Sequence, residues 1–177
     1  MPTARRSRTI AAPAQELWEL VRDPHHLPRW WPRVTRVEDV EDDAFTEVMK
    51  TRKGKLVRAD FNVIVGEEGQ RTLTWVQRVA GTPFATVLKS AETELRLTPV
   101  AAEAASAFRA VAGQAPEATA DATRTEVTIE LRQEMASGSA RYSPFLAIAP
   151  RLGGRMVRRA AAATLDEALD GLERISG

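Results

Sequence analysis

Leu56–Val65 constrains the fold more than any other stretch. Val57, Ala59, Phe61, Val63 and Val65 occupy alternate positions, and Arg58, Asp60 and Asn62 fall between them. Side chains of a strand point alternately to its two faces, so this pattern predicts a strand with one face in a core and the other in water. Antiparallel sheets allow that arrangement. Such a strand needs paired neighbours and a cover for its apolar face. Across the loop Gly66-Glu67-Glu68-Gly69, Arg71–Val79 repeats the alternation with Leu73, Trp75, Gln77 and Val79 on one face. Upstream, Val34–Val40 and Phe45–Thr51 read as strands, the latter closed by the turn Lys53-Gly54-Lys55. Downstream, Phe84–Thr98 points Leu95 and Leu97 inward, and Arg124–Met135 points Val127, Ile129 and Leu131 inward. Thr3–Ala11 supplies a first strand, which makes seven.

Helices bracket this sheet. Pro13 stands where a first helical residue needs no N–H, and Leu17, Trp18, Leu20 and Val21 follow at helical spacing, predicting a helix over 13–22. Asp23-Pro24 pairs an N-cap with a proline just inside, and Pro28 and Pro32 keep the second helix, over 24–30, short. At the other end, Val157, Ala161, Leu165, Ala168, Leu172 and Ile175 form an apolar stripe at three- and four-residue steps. A helix is expected over 144–175, kinked or started by Pro150, with the run Ala160–Ala163 allowing close approach to a sheet. Gly153-Gly154 reads as close packing near its start. Between Val100 and Thr123 the chain is rich in Ala, Glu, Thr and Asp, with Gly113 and Pro116 inside, and reads as a variable, mobile insertion. The fold class is α+β: seven antiparallel strands cannot bury one face against two short helices alone, so the C-terminal helix must lie across the concave face. Residues 1–177 are expected to form a single domain.

Charge and composition exclude several functions. With 25 basic and 24 acidic side chains, the net charge of +1 gives no global attraction to nucleic acid or anionic membrane. The basic run Lys50, Arg52, Lys53, Lys55 and Arg58 lacks the interleaved aromatics of a single-strand binding surface. The absence of cysteine removes disulfides, thiolate catalysis and cysteine metal sites. No apolar run approaches the roughly 20 residues of a spanning helix, and none follows the basic N-terminus as a signal core, so a cytoplasmic location is expected. No nucleophile elbow, phosphate loop or dinucleotide fingerprint is present.

The order strand, two short helices, six strands, long helix resembles the START-like helix-grip (SRPBCC) superfamily. So does the segment from Ile10-Ala11-Ala12-Pro13 through Leu17-Trp18-Glu19-Leu20-Val21-Arg22-Asp23-Pro24 to Leu27-Pro28-Arg29-Trp30-Trp31-Pro32. The branch it is most similar to is the polyketide cyclase/dehydrase and lipid-transport family. The resemblance implies a cavity under the C-terminal helix for a sterol, lipid, polyketide or aromatic compound. A few members are enzymes, and a co-chaperone-like branch implies a protein-interaction module as a further alternative. The Val100–Thr123 segment departs from the short turn usual in the family.

Within that frame, Trp75 lies on the inferred concave face, and one of Trp30 and Trp31 is expected at the pocket mouth, the other packing the short helix onto the sheet. Phe61, Leu95, Ile129 and Met156 complete the expected wall. Gln77 and Gln133 interrupt otherwise apolar faces, where a buried amide needs a partner that a ligand or water would supply. Arg155, Arg158 and Arg159 are expected to flank the cavity side of the helix. Arg159 is a candidate partner for a ligand carboxylate, although such clusters are more often solvated. Trp18 reads as core. His25 and His26 lack further ligands at metal-site spacing, so no metal is expected, and they read as a solvated first turn after the Asp23 cap, with a general acid/base role for one of them as the alternative. The expected function is binding of a small hydrophobic or amphipathic molecule without a cofactor. A cyclase/dehydratase-type enzyme is the alternative, with its catalytic residues unassigned. Nothing in the sequence specifies the oligomeric state.

Overall fold

The computed structural model describes residues 3–51, 53–65, 68–100, 124–136 and 153–177. Seven strands form one antiparallel sheet: β1 (Thr3–Ile10), β2 (Val34–Glu38), β3 (Ala44–Lys50), β4 (Leu56–Val65), β5 (Thr72–Gln77), β6 (Leu88–Val100) and β7 (Arg124–Met135), in the spatial order β1-β7-β6-β5-β4-β3-β2. From β2 onward consecutive strands are neighbours, and β1 closes the far edge against β7. The α+β class, the seven antiparallel strands and the helix-grip arrangement are as the sequence led one to expect.

Most strand and helix ends shift from the sequence reading by one or two residues, and two segments change type. Residues Pro83–Thr86 form a short 3-10 turn instead of the start of β6, because Thr82 accepts a hydrogen bond from Phe84 N and Pro83 sets the first turn. Residues 24–30 divide into a 3-10 turn, Pro24–His26, and α2, Leu27–Trp30; Asp23 caps the turn by accepting from His25 N at 2.9 Å. Helix α1 spans Ala14–Arg22, and α3 is described over Gly153–Ser176. The expectations for residues 144–152, including Pro150, and for the 101–123 insertion lie outside the described residues.

The C-terminal helix α3 packs chiefly on β1, and also on β7 and α2. Its buried face consists of Ala161, Ala162, Leu165, Ala168, Leu169 and Leu172. Alanines bring its axis close to the sheet, and the leucines fill the gaps beside Ile10, Val127 and Ile129, all at most 1% exposed. Ion pairs flank the contact: Arg6 Nε lies 3.0 Å from Asp166 Oδ1, Arg8 pairs with Asp170, and Arg8 Nη1 reaches Glu173 Oε2 at 3.2 Å. At the α2 crossing, a Cβ built on Gly171 would lie 2.8 Å from Trp30 Cα and nearer still to its carbonyl oxygen, so only glycine fits there. Thr125, wholly buried, donates to Ala12 O at 2.8 Å and ties the end of β1 to β7. No helix among the described residues is long and apolar enough to cross a membrane.

Candidate functional site

The register of the sheet sets which side chains share the concave face, because residues directly opposite in an antiparallel pair point the same way. Phe45 opposes Phe61 and Phe61 opposes Gln77; Ala91 opposes Gln133. Trp75 opposes Val63 on one side and Thr93 on the other, and Leu95 stands between Leu73 and Ile129. The face therefore runs from a wholly apolar zone around Leu95 and Ile129, both 0% exposed, to a zone in which aromatic rings alternate with amides.

The aromatic part is continuous. The Trp31 ring meets Trp75 edge-on with centroids 5.6 Å apart, and Trp30 meets Trp31 edge-on at 5.4 Å. The Phe45 and Phe61 rings stack at 5.2 Å. Trp30 and Trp75 are buried, whereas Trp31 is half-buried. The adjacent tryptophans make different contacts: the Trp30 backbone packs against Gly171 of α3, and the Trp31 ring reaches the sheet at Trp75. Both also line an open groove of about 400 Å³ between the α2 end and α3, shared with Pro32, Asp170 and Arg174.

Gln77 and Gln133 are half-buried on the concave face. Gln77 Nε2 is shielded from solvent and has no hydrogen-bond partner. Trp30 Nε1 and Trp18 Nε1 share that condition. Arg159 is exposed on the first part of α3, outside the packed face. The Met156 side chain lies outside the described residues. His25 accompanies Asp23 in an exposed turn, with Nδ1 2.8 Å from Asp23 Oδ1.

The most unusual group on this face is one that the sequence reading passed over. Glu47, in the middle of β3, is 1% exposed, and its Oε1 has no hydrogen-bond partner. It opposes Ala59 on β4 and Val37 on β2, with Phe45 and Met49 two residues away on its own strand and the same face. Burial pushes its carboxyl up to about 8, so at neutral pH it is a neutral acid. In the sequence Glu47 alternates with Phe45 and Met49, but Thr46 and Val48 give the other parity no clear polar character, so alternation alone does not turn Glu47 inward. By contrast, the convex-face acids Glu92, Glu94 and Glu130 surround Arg132, which lies 2.6 Å from Glu92 and 2.8 Å from Glu130. They form a surface ion network.

A curved antiparallel sheet with two short helices after its first strand and a long terminal helix along one side defines a START-like helix-grip protein. The sequence model of the family described as polyketide cyclase/dehydrase and lipid transport matches residues 1–176. The chain belongs to that family. A START superfamily protein from Mycobacterium smegmatis superposes with a TM-score of 0.67 at 14% identity, covering 98% of this chain and 96% of the other. The Zhui aromatase/cyclase from Streptomyces sp. R1128 gives a TM-score of 0.69 at 16% identity, over 98% and 92% of the two chains. The di-domain aromatase/cyclase BexL, from the BE-7585A biosynthetic pathway, gives 0.65 at 18% identity; 98% of this chain corresponds to 46% of that one. At these identities the likeness is one of fold. No curated protein matches the sequence significantly.

Proposed function

We propose that this protein binds a small hydrophobic or amphipathic molecule against the concave face of its sheet, with Trp31 and Trp75 as the principal apolar contacts. The observation that carries the reading is the Trp30–Trp31–Trp75 chain, in which the half-buried Trp31 links two buried indoles, Trp30 and, on the concave face, Trp75. Indoles offer large rigid apolar surface at little entropic cost, and a half-buried ring beside a buried one is the composition of a pocket mouth. Phe61 and Gln77 extend the surface, the amide supplying a donor that the fold leaves without a partner. Family membership makes a lipid, polyketide or aromatic compound the natural ligand class.

The test is direct. Native mass spectrometry of the protein from its source identifies a retained molecule, and Trp75→Ala is expected to weaken its binding tenfold or more while substitutions at His25 or His26 leave it unchanged. Equal binding by the Trp75→Ala and parent proteins refutes the assignment.

A cyclase/dehydratase-type activity at the same face is the second reading, and Glu47 favours it. A neutral buried acid is suited to protonating a carbonyl or a departing hydroxyl. Turnover lost in Glu47→Gln with ligand binding retained would select this reading over the carrier.

A further inference from the structure

Among the described residues, Glu47 is the only buried side chain of an ionisable type. Among the described residues, register fixes its neighbours within the sheet: Val37 and Ala59 opposite, Phe45 and Met49 along its strand, and Val57 and Phe61 at the β4 diagonals. None of the six carries a charge or a side-chain hydrogen-bonding group. Buried polar atoms in folded proteins nearly always have a partner, and an orphan of this kind calls for a specific explanation. Stability is not that explanation. A lone carboxyl in an apolar ring costs free energy, and an apolar side chain of similar size there would be neutral or stabilising.

We propose that Glu47 is the polar contact of the concave-face site, donating a hydrogen bond from its carboxyl to an uncharged acceptor on an otherwise apolar ligand, a ketone, aldehyde or hydroxyl oxygen. The inference rests on the reading that this face holds a ligand, and it adds the ligand's chemical class. Two observations carry it. Glu47 Oε1 and Gln77 Nε2 are both shielded and both without partners, and they stand on β3 and β5, the two strands flanking β4. Desolvation keeps the Glu47 carboxyl protonated, so it presents an O–H where a carboxylate would present only acceptors. The Glu47 carboxyl and the Gln77 amide then each offer a donor, and the complement to two donors in a dry site is an acceptor without charge. An anionic ligand would bury a negative charge within a ring that holds no cation, which desolvation opposes.

The experiment measures equilibrium dialysis of three naphthalenes of nearly equal shape. These are 2-acetylnaphthalene, 2-isopropenylnaphthalene, in which CH₂ replaces the carbonyl oxygen, and 2-naphthoate. The quantity read is the ratio of hydrocarbon to ketone Kd in parent and variant, which cancels the different water solubilities of the probes. Glu47→Leu is expected to lower that ratio about fivefold to tenfold, the worth of one desolvated hydrogen bond. Glu47→Gln, which keeps an N–H donor, is expected to retain most of it, and 2-naphthoate to bind at least tenfold more weakly than the ketone. Should Glu47→Leu lose its fold, Glu47→Met gives the same comparison. If both neutral probes bind and Trp75→Ala weakens both, but the ratio is unmoved in Glu47→Leu or the naphthoate binds as tightly as the ketone, the inference is overturned while the site stands. If no probe binds the parent, or Trp75→Ala changes nothing, the concave-face reading fails and takes this inference with it.

Discussion

Replacing Glu47 by glutamine should change how stability depends on pH, and the size of the change follows from the position of the carboxyl. In the unfolded chain the group titrates near 4.5, and in the fold near 8. Below 4.5 both states are protonated and the group contributes nothing to the difference. Between the two values the unfolded chain is ionised and the folded one is not, so folding takes up a proton and stability falls as pH rises. Above 8 both are ionised and the loss is complete. At 1.4 kcal/mol per pH unit, the whole interval amounts to about 5 kcal/mol, and the window from pH 5.5 to 8 to about 3 kcal/mol. The amide introduced by Glu47→Gln has no proton to exchange. Every other ionisable group is common to the two proteins, so the difference between their unfolding free energies isolates this carboxyl. Urea unfolding followed by tryptophan fluorescence at half-unit steps of pH measures it. The variant should gain on the parent steadily from pH 5.5 to 8. A difference that stays flat within about 0.5 kcal/mol across that window would show that Glu47 is solvated or paired in solution, and the argument from desolvation would fall.

Three further outcomes are expected. An unobstructed helical glycine replaced by alanine gains about 1 kcal/mol, but Gly171→Ala should instead lose about 1–3 kcal/mol. Its Cβ would overlap the Trp30 backbone, which cannot swing aside as a side chain would; a more stable Gly171→Ala in thermal or denaturant unfolding contradicts the α2–α3 packing. Thr125→Val should lower stability by about 1–3 kcal/mol, because the Ala12 carbonyl loses a buried donor; an unchanged denaturation midpoint would count against that bond. Arg8→Ala should cost less than about 1 kcal/mol, with the cost vanishing in 1 M salt, since its partners Asp170 and Glu173 are exposed; a cost that persists in high salt would mean that the stem of Arg8 contributes packing instead.

The sequence by itself determined the elements and most of their faces. Wherever one side of a strand meets water, as in Leu56–Val65, alternation names the inner residues, because a shift by one position would turn every apolar group outward. The same reasoning located Trp75, Gln77, Leu95 and Ile129, and the stripe from Val157 to Ile175 gave α3 its packed side: Ala161, Leu165, Ala168 and Leu172 are all buried. It failed at β3. There Phe45, Glu47 and Met49 alternate with Thr46 and Val48, and both Val48 and Thr46 are buried as well, so neither parity stands out as the inner one. Only the pairing of Phe45 with Phe61 and of Glu47 with Ala59 assigns the face. Short-range pattern also could not choose between Trp30 and Trp31, since adjacent residues on a one-turn helix point in directions set by what the helix rests on. The crossing at Gly171 buries Trp30, and the curvature of the sheet brings Trp75 to Trp31. What the tertiary structure decided is the electrostatic character of the site. A glutamate in sequence is an acid of ordinary strength, and it becomes a neutral donor only when β2 and β4 pair on either side of it and the fold takes its water away.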